Sequence, residues 1–272
     1  MNLLIFDIET IPDVDSGKKL YDLEGLSDAD VANAMFLLRR EKVGNDFLPH
    51  HLQKIVAISV VIKTPQKLAV KSLGDLDSTE AEIIELFYKG IEHYKPILIS
   101  WNGGGFDLPV LHYRALLHKI SAPHYWENGQ EDPSFKFNNY LSRYHERHTD
   151  LMDVLASYGR GVPLDELATM LGFPGKMGMS GDKVWEAYQA GGLAKIRNYC
   201  ETDVLNTYLV YLRYQLFRGR LSPEQLAREE QLVRETLAQE DKPHFGEFLG
   251  TIPPLKKGGR GDLSDGCTGA FI

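Results

Sequence analysis

The sequence is short of cysteine and of long apolar runs. Its 272 residues include two cysteines, Cys200 and Cys267, which excludes a disulfide framework and is typical of a reducing compartment. No apolar stretch approaches the roughly 20 residues needed to span a bilayer. The N-terminus also lacks the basic start and the cleavage site of a signal peptide. We therefore predict a cytoplasmic protein with no membrane contact.

Positive charge is also scarce. The chain carries 30 Lys and Arg against 38 Asp and Glu, a formal net charge of −8, which argues against bulk electrostatic binding of long duplexes. An enzyme acting on nucleic acid is still compatible with this balance, because bound metal ions can neutralise several acids. Any contact with phosphate must then be local. The 43% apolar and 25% charged residues are typical of a soluble globular protein.

Two acids stand two residues apart in the first predicted strand. The apolar run 1–6 predicts a strand buried on both faces, and Asp7 and Glu9 follow it in the segment FDIET. Successive side chains of a strand point to opposite faces, so the acids share one face with Ile8 packed behind them. Their repulsion requires protons or cations, and divalent ions with oxygen ligands perform phosphoryl chemistry. The alternative is a solvated pair where the strand ends.

Strands precede most of the helices along the chain, which predicts a mixed α/β domain with extra C-terminal helices. The strands predicted after the first are 54–63, 67–73, 96–100 and 147–152. The predicted helices are 27–43, 78–94, 108–119, 153–158, 164–171, 192–218 and 223–239. Segment 120–139 is rich in turns, segment 172–182 is a glycine-rich loop, and we expect poor order from residue 256 onward.

A second acidic candidate follows the strand 96–100. Asp107 comes shortly after three consecutive glycines, 103–105, which would let backbone or a ligand approach the strand end. A helix N-terminus in this place favours a phosphate or a metal-bound substrate. The alternative is that Asp107 caps the helix that begins at Leu108.

A third candidate is the pair Tyr199 and Asp203 in the long late helix. Four residues apart, they lie one turn from each other on one face, which also carries Ile196 and Asn206. Asp203 is therefore expected to be half-buried, and a buried carboxylate is costly unless it is paired or metal-bound. The alternative is an exposed helical Asp beside a core tyrosine.

The three segments together resemble the motifs of one enzyme superfamily. FDIET at 6–10, Asn102 with Phe106 and Asp107, and Tyr199 with Asp203 have the order and separations of DEDD 3′–5′ exonucleases of the tyrosine subclass. The resemblance extends to stand-alone predicted exonucleases related to the proofreading domain of family-B DNA polymerases. It implies a ribonuclease H-like mixed sheet flanked by helices for residues 1–218, which leaves 219–272 as a C-terminal helical extension and flexible tail.

The resemblance also implies a role for each motif residue. Asp7 would bridge two divalent ions, Mg²⁺ or Mn²⁺, while Glu9 and Asp203 complete the site of the first and Asp107 holds the second. Two such ions stabilise both the attacking and the leaving oxygen of an in-line displacement. Tyr199 would hold the attacking water, since an unperturbed phenol titrates near 10 and is a poor base at neutral pH. The implied activity is hydrolysis of single-stranded DNA or RNA from 3′ ends to nucleoside 5′-monophosphates, with DNA favoured.

Other residues are secondary candidates. Asn102 could hydrogen-bond the substrate or only its own loop, and Phe106 could stack on a terminal base or belong to the core. Asp150 could support the site indirectly. Lys176 could contact phosphate, and the other candidate cations are Lys136, Arg143, Arg147, Lys183, Lys256, Lys257 and Arg260. Plain solvation is the alternative for these charges. The histidines show no metal-like spacing.

Other functions fit the same residues. A 3′–5′ exoribonuclease or a short-oligonucleotide phosphodiesterase would use the same site, and no residue clearly recognises the 2′-OH. A catalytically weak nucleic-acid-binding module is disfavoured, because converging acids do not help to bind phosphate. The roughly 50 residues after 218 are too few for a polymerase domain, so any proofreading would operate in trans. The sequence names no protein partner.

Overall fold

The computed structural model describes residues 2–252 of the chain. Its strands are β1 (Leu3–Pro12), β2 (Gln53–Lys63), β3 (Leu68–Ser72), β4 (Ile97–Ser100) and β5 (His148–Asp150). Its α-helices are α1 (Val14–Tyr21), α2 (Asp28–Val43), α3 (Glu80–Tyr94), α4 (Asp107–His118), α5 (Leu151–Leu155), α6 (Leu164–Met170), α7 (Val184–Gln189), α8 (Leu193–Phe217), α9 (Pro223–Ala238) and α10 (Pro243–Thr251).

The described strands form one mixed sheet in the order β3-β2-β1-β4-β5. β1 pairs antiparallel with β2 and parallel with β4, while β3 pairs antiparallel with β2 and β5 parallel with β4. The carboxyl ends of β1, β4 and β5 therefore reach the same end of the sheet. Side chains from distant segments can meet there, as ligand sites of open α/β sheets do.

β1 lies at the centre of the sheet and is buried on both faces. Ile5 on one face belongs to the core that α8, α9 and α10 help to form. Ile8 on the other face packs in the core that α3 and α4 help to form. Asp7 and Glu9 continue the row of Ile5, because side chains on one face of a strand recur every second residue. Both acids therefore lie on the α8 side of the sheet.

The predicted fold class is confirmed, and most elements match the prediction to within a few residues. Two boundaries differ for local reasons. α3 begins one residue after its N-cap Thr79, which forms a capping box, while the Ser78 hydroxyl accepts the Asp75 N–H instead. β5 ends at Asp150 rather than Met152, because the Asp150 side chain caps α5. The helix predicted at 153–158 therefore begins and ends earlier, as α5.

Three described helices, α1, α7 and α10, have no counterpart in the sequence prediction. Each has fewer than ten residues, and helices of this length depend on tertiary packing. In α10 that packing comes from Phe245 and Phe248, both buried in the core with α8. The predicted poor order from residue 256 falls outside the described residues. No helix within residues 2–252 is long and apolar enough to cross a membrane.

Candidate active site

β1 brings Asp7 and Glu9 to the carboxyl end of the sheet, where α8 packs against it. The pairing of β1 with β2 shifts register between Glu9 and Thr10, and such bulges re-aim side chains beside active sites. Glu9 is 7% exposed, yet its carboxylate has no hydrogen-bond partner among residues 2–252. Neither Glu9 oxygen is among the fully enclosed, unpartnered polar atoms of these residues, so the carboxylate keeps some contact with solvent. A largely buried carboxylate that has no protein partner but can be reached from solvent suits a ligand-binding position rather than a structural one.

α8 lays Tyr199, Cys200 and Asp203 over the same strand. The Tyr199 hydroxyl donates a hydrogen bond to the Asp203 carboxylate, one helical turn along. The Cys200 side chain is fully buried, with its Sγ 3.4 Å from the Asp7 carbonyl oxygen and 3.5 Å from Asp7 Oδ2. Cys200 therefore joins α8 to the first acid of β1.

Asp107 enters the site from the loop between β4 and α4. It is the first residue of α4 and is buried, and its Oδ1 accepts a hydrogen bond from the Ile8 N–H at 3.1 Å. β1 pairs with β4 only over Leu3 to Ile5, so the ladder leaves the Ile8 N–H free on that side. The N-cap of α4 is Phe106, without a side-chain cap. The Asp107 side chain is thus held by a hydrogen bond to β1. The alternative, that Asp107 caps a helix beginning at Leu108, is wrong.

Asp150 holds the β4–α4 loop in place from the end of β5. Its Oδ1 accepts the Asn102 N–H and its Oδ2 the Gly104 N–H, each at 2.9 Å. Asn102 has a left-handed backbone with φ of 61°, so the loop turns sharply there. A side chain at Gly103 would place its Cβ 2.3 Å from Ser100 Oγ, which explains the glycine. Asp150 therefore shapes the loop that delivers Asp107.

Burial raises the pKa values of all four motif acids, and repulsion by the other motif acids adds to this for Asp7 and Glu9. Burial, followed by the charges of Asp107 and Asp203, raises the pKa of Asp7 well above its ordinary value. Burial together with the charge of Asp7 does the same for the pKa of Glu9. Burial also raises the pKa of Asp107 and that of Asp203, each to about 7. The cluster therefore favours bound protons or cations.

The described part of the chain supplies no cation in ion-pair contact with these four acids. Lys176 is near enough for its charge to act on Asp203, but its Nζ is 3.6 Å from an oxygen of Asp165. Buried charges are normally paired or coordinate a metal. Without a basic side chain in ion-pair contact, the charge of these acids can be balanced by bound protons or by a metal ion.

The donor set fits a divalent ion. The ligand atoms of Asp7, Glu9 and Cys200 lie within 4.8 Å of one another, and no other group of three such ligands in residues 2–252 is as compact. Asp107 and Asp203 add carboxylate charge that acts on Glu9. Hard divalent ions such as Mg²⁺ prefer oxygen ligands of this kind. These carboxylates could therefore hold a metal ion.

Two of the predicted substrate-contact residues lie beside the acids. Phe106 precedes Asp107 and is half-buried, with its ring centroid 5.5 Å from that of Phe47 and 5.7 Å from that of His50. Phe47 is 57% exposed. Lys176 lies in the glycine-rich loop near Asp203. The third, Asn102, has its backbone N–H bound to Asp150, and no hydrogen bond of its side-chain amide is recorded within residues 2–252.

The candidate cations Lys136, Arg143 and Arg147 make internal contacts. The Arg147 guanidinium carbon lies 3.6 Å from the centroid of the Phe135 ring, and Arg143 pairs with Asp153 at 2.8 Å. The Lys136 ammonium lies 5.4 Å from the centroid of its neighbour's ring. These contacts account for the three side chains without a substrate. The tail cations Lys256, Lys257 and Arg260 lie outside the described residues.

Sequence reasoning missed two features of the site. The sequence analysis considers Cys200 only for disulfide formation. Its position beside Tyr199, one helical turn before the residue that follows Asp203, is the signal that could have placed it at the site. Phe47 belongs to the connection between α2 and β2 and carries no sequence signal, because its contact with Phe106 joins segments 59 residues apart by their numbering. Proximity of this kind comes from the fold alone.

Comparison with known families identifies the family of this chain. Residues 45–252 match the model of a family described as a predicted 3′–5′ exonuclease related to the exonuclease domain of PolB. The chain belongs to this family. The match includes Asp107, Tyr199 and Asp203, while Asp7 and Glu9 precede it in the chain. A search of curated proteins finds no match.

Membership confirms the family expected from the motifs. The five-stranded mixed sheet flanked by helices is consistent with the ribonuclease H-like exonuclease fold. The family's description implies a nuclease acting on nucleic acid. The tyrosine subclass is compatible with the match and with the Tyr199–Asp203 hydrogen bond.

Proposed function

We propose that the protein is a metal-dependent 3′–5′ exonuclease that hydrolyses single-stranded nucleic acid, DNA favoured, to nucleoside 5′-monophosphates. The observation that carries the proposal is the convergence of Asp7, Glu9, Asp107 and Asp203 with no ion-paired protein cation in residues 2–252. A purely structural cluster of buried acids would be neutralised by basic side chains. A cluster of acids without basic partners suits divalent ions and a phosphate substrate.

The four carboxylates would hold two divalent ions, Mg²⁺ or Mn²⁺. Asp7 would contact both ions, Glu9 and Asp203 the first, and Asp107 the second. When bound, such ions stabilise the negative charge that develops on the oxygens of the reacting phosphodiester. The protein's own contribution is orientation, because Asp107 is fixed by the Ile8 N–H and Asp203 by the Tyr199 hydroxyl.

Tyr199 would orient the attacking water rather than remove its proton. Burial, followed by the charges of Asp203 and Glu9, raises the pKa of Tyr199 far above its ordinary value. The phenol therefore stays protonated at any pH at which the enzyme would work, and it cannot act as a general base. A protonated hydroxyl held by Asp203 can still accept a hydrogen bond from a water beside the phosphate.

The strand end would be held by aromatic and polar side chains next to the acids. Phe106 and Phe47 present a partly exposed aromatic pair beside Asp107, and aromatic rings stack on bases of any sequence. Lys176 and the side-chain amide of Asn102 would contact the backbone phosphates or sugar. This local arrangement is compatible with the net charge of −8, because it does not require an extended basic surface.

Degradation of 5′-labelled single-stranded DNA and RNA of equal sequence tests the proposal. With Mg²⁺ or Mn²⁺ we expect a ladder that shortens from the 3′ end, and we expect EDTA or Asp7→Ala to abolish it. Tyr199→Phe should retain Mn²⁺ binding and lower turnover, since it removes only the hydroxyl. Unchanged turnover in Tyr199→Phe would remove the positioning role of the tyrosine.

The same assay separates the alternatives. Preferential shortening of RNA would identify an exoribonuclease, and cleavage confined to oligonucleotides of a few residues would identify a short-oligonucleotide phosphodiesterase. If no polymer or oligonucleotide is cleaved with any metal while labelled DNA is still retained, the protein is a binding module and the proposed activity is wrong.

A further inference from the structure

We propose that Asp7, Glu9 and Cys200 form a binding site for a thiophilic divalent cation, Zn²⁺ or Cd²⁺, that excludes Mg²⁺ or Mn²⁺ from the same acids. The site differs from the all-oxygen site of the proposed nuclease because it includes a sulfur ligand. Its occupancy can be measured without substrate, so this inference does not depend on the proposed activity.

The spacing of the ligand atoms matches tetrahedral zinc. Zn–S bonds of about 2.3 Å and Zn–O bonds of about 2.0–2.2 Å, with a tetrahedral angle, separate sulfur from oxygen by about 3.5–3.7 Å. Cys200 Sγ lies 3.5 Å from Asp7 Oδ2. The three ligand atoms of Asp7, Glu9 and Cys200 all lie within 4.8 Å of one another. A small movement of the Glu9 carboxylate toward the ion would bring all three ligand atoms to bonding distance.

Glu9 supplies an independent reason to expect a cation here. Its side chain is more than nine-tenths buried and has no hydrogen-bond partner within residues 2–252. Its carboxylate is one of the three ligands that lie within 4.8 Å of each other, so it is directed into the cluster. A buried, unpartnered carboxylate gains a counter-charge when an ion binds.

The buried thiol decides which ions bind most tightly. Sulfur ligands favour Zn²⁺ and similar soft ions, whereas carboxylates suit Mg²⁺ and Mn²⁺. Binding transfers the thiol proton of Cys200 to solvent and leaves a thiolate bound to the metal. Because the sulfur-containing site uses Glu9, which would hold the first hard ion of the proposed nuclease site, a thiophilic ion and that hard ion compete for the same carboxylate. The order of affinities, with Zn²⁺ above Mn²⁺, makes Zn²⁺ the stronger competitor.

Optical titration of metal-free protein with Cd²⁺ tests the site directly. The background is Cys267→Ser, which leaves Cys200 as the single thiol of the chain. We expect an ultraviolet sulfur-to-cadmium charge-transfer band that saturates at one ion per chain. The band should vanish in Cys200→Ser and in Cys200→Ala. Glu9→Gln should keep the band but weaken Cd²⁺ binding by at least about 10-fold, the smallest cost usual for an outer-shell partner, because Glu9 is a direct ligand.

Displacement of Mn²⁺ tests the competition. Addition of Zn²⁺ to the Mn²⁺-loaded Cys267→Ser protein should release Mn²⁺, seen as growth of the magnetic resonance signal of the free ion. Cys200→Ser should still bind Mn²⁺, which shows that it is folded, and should need on the order of 10–100-fold more Zn²⁺ for release. A missing cadmium band in Cys267→Ser, or equal Zn²⁺ requirements with and without Cys200, overturns the proposal. If both Cys200 variants fail to bind Mn²⁺, an unchanged Cd²⁺ affinity in Glu9→Gln would overturn it instead.

Discussion

Two acids of α8, Glu201 and Asp203, stand two residues apart and have opposite surroundings. Glu201 accepts a hydrogen bond from the Ser72 N–H at 2.8 Å and lies 2.8 Å from His244 Nε2 and 3.1 Å from Lys242 Nζ. Within residues 2–252 the Asp203 carboxylate is hydrogen-bonded to the Tyr199 hydroxyl and forms no ion pair with a basic side chain. The pKa values follow these contacts. Although burial opposes it, hydrogen bonding to His244 and the charge of Lys242 lower the pKa of Glu201, whereas burial raises that of Asp203 to about 7.

The fold therefore neutralises Glu201 with basic side chains and leaves Asp203 without one. In a second cluster, buried acids are also neutralised by basic side chains. The buried Arg114 contacts both Glu80 and Asp13, and His118 lies 2.7 Å from Glu80. Among the buried acids outside the candidate site, Glu201, Glu80 and Asp13 thus receive basic partners, and Glu127 receives backbone N–H donors instead. The four acids of the candidate site form no ion pair with a basic side chain of residues 2–252, which is the place that the proposed metal ions would take.

The largest expected effect is on turnover. Asp203→Asn removes a proposed metal ligand and should lower the rate of 3′-end degradation by at least about 10²–10³-fold, the usual cost of losing one group that stabilises the transition state. Glu201→Gln, the matched change two residues away, should alter the rate less than about threefold, because Glu201 contacts α10 and β3. Initial rates on labelled DNA compare the two. Equal losses of rate in the two variants would contradict the distinction between Asp203 and Glu201.

The next effect is on stability, where we expect the larger loss in the Glu201 variant and the smaller in the Asp203 variant. Glu201→Gln weakens charge-assisted hydrogen bonds and should lower the free energy of unfolding by about 1.5–3 kcal/mol. Asp203→Asn relieves repulsion among like charges and should leave that free energy equal or higher in metal-free protein. Urea denaturation in EDTA at neutral pH measures both. A marked loss of stability in Asp203→Asn would show that Asp203 is structural.

A third effect is on how the stability of the metal-free protein depends on pH. The pKa of Asp203 rises on folding from about 3.9 to about 7, so the native state binds more protons and stability falls as pH rises between those values. The lowered pKa of Glu201 acts in the other direction, because its stabilisation is lost as pH falls through the folded pKa. Asp203→Asn should flatten the decline toward pH 7, and Glu201→Gln should flatten the acid limb. Urea midpoints across this pH range check the signs.

Much of the fold could be predicted from local patterns. The apolar run before Asp7 predicts the central strand, and its alternation places Asp7 and Glu9 on one face, as found. Helical spacing places Tyr199 and Asp203 one turn apart. Short helices such as α10 escaped prediction, because their helical conformation depends on burying Phe245 and Phe248 against distant segments.

The partners of the acids could not be predicted in the same way. FDIET and the Tyr199–Asp203 spacing determine by themselves where carboxylates lie along β1 and α8, since backbone geometry is local. Which of these acids has a basic partner depends on the folded arrangement of distant segments. Lys242 contacts Glu201 across 41 residues, and Cys200 contacts Asp7 across 193. A charge is stabilised by whatever the fold brings within a few ångströms, and no periodicity in the sequence records that distance.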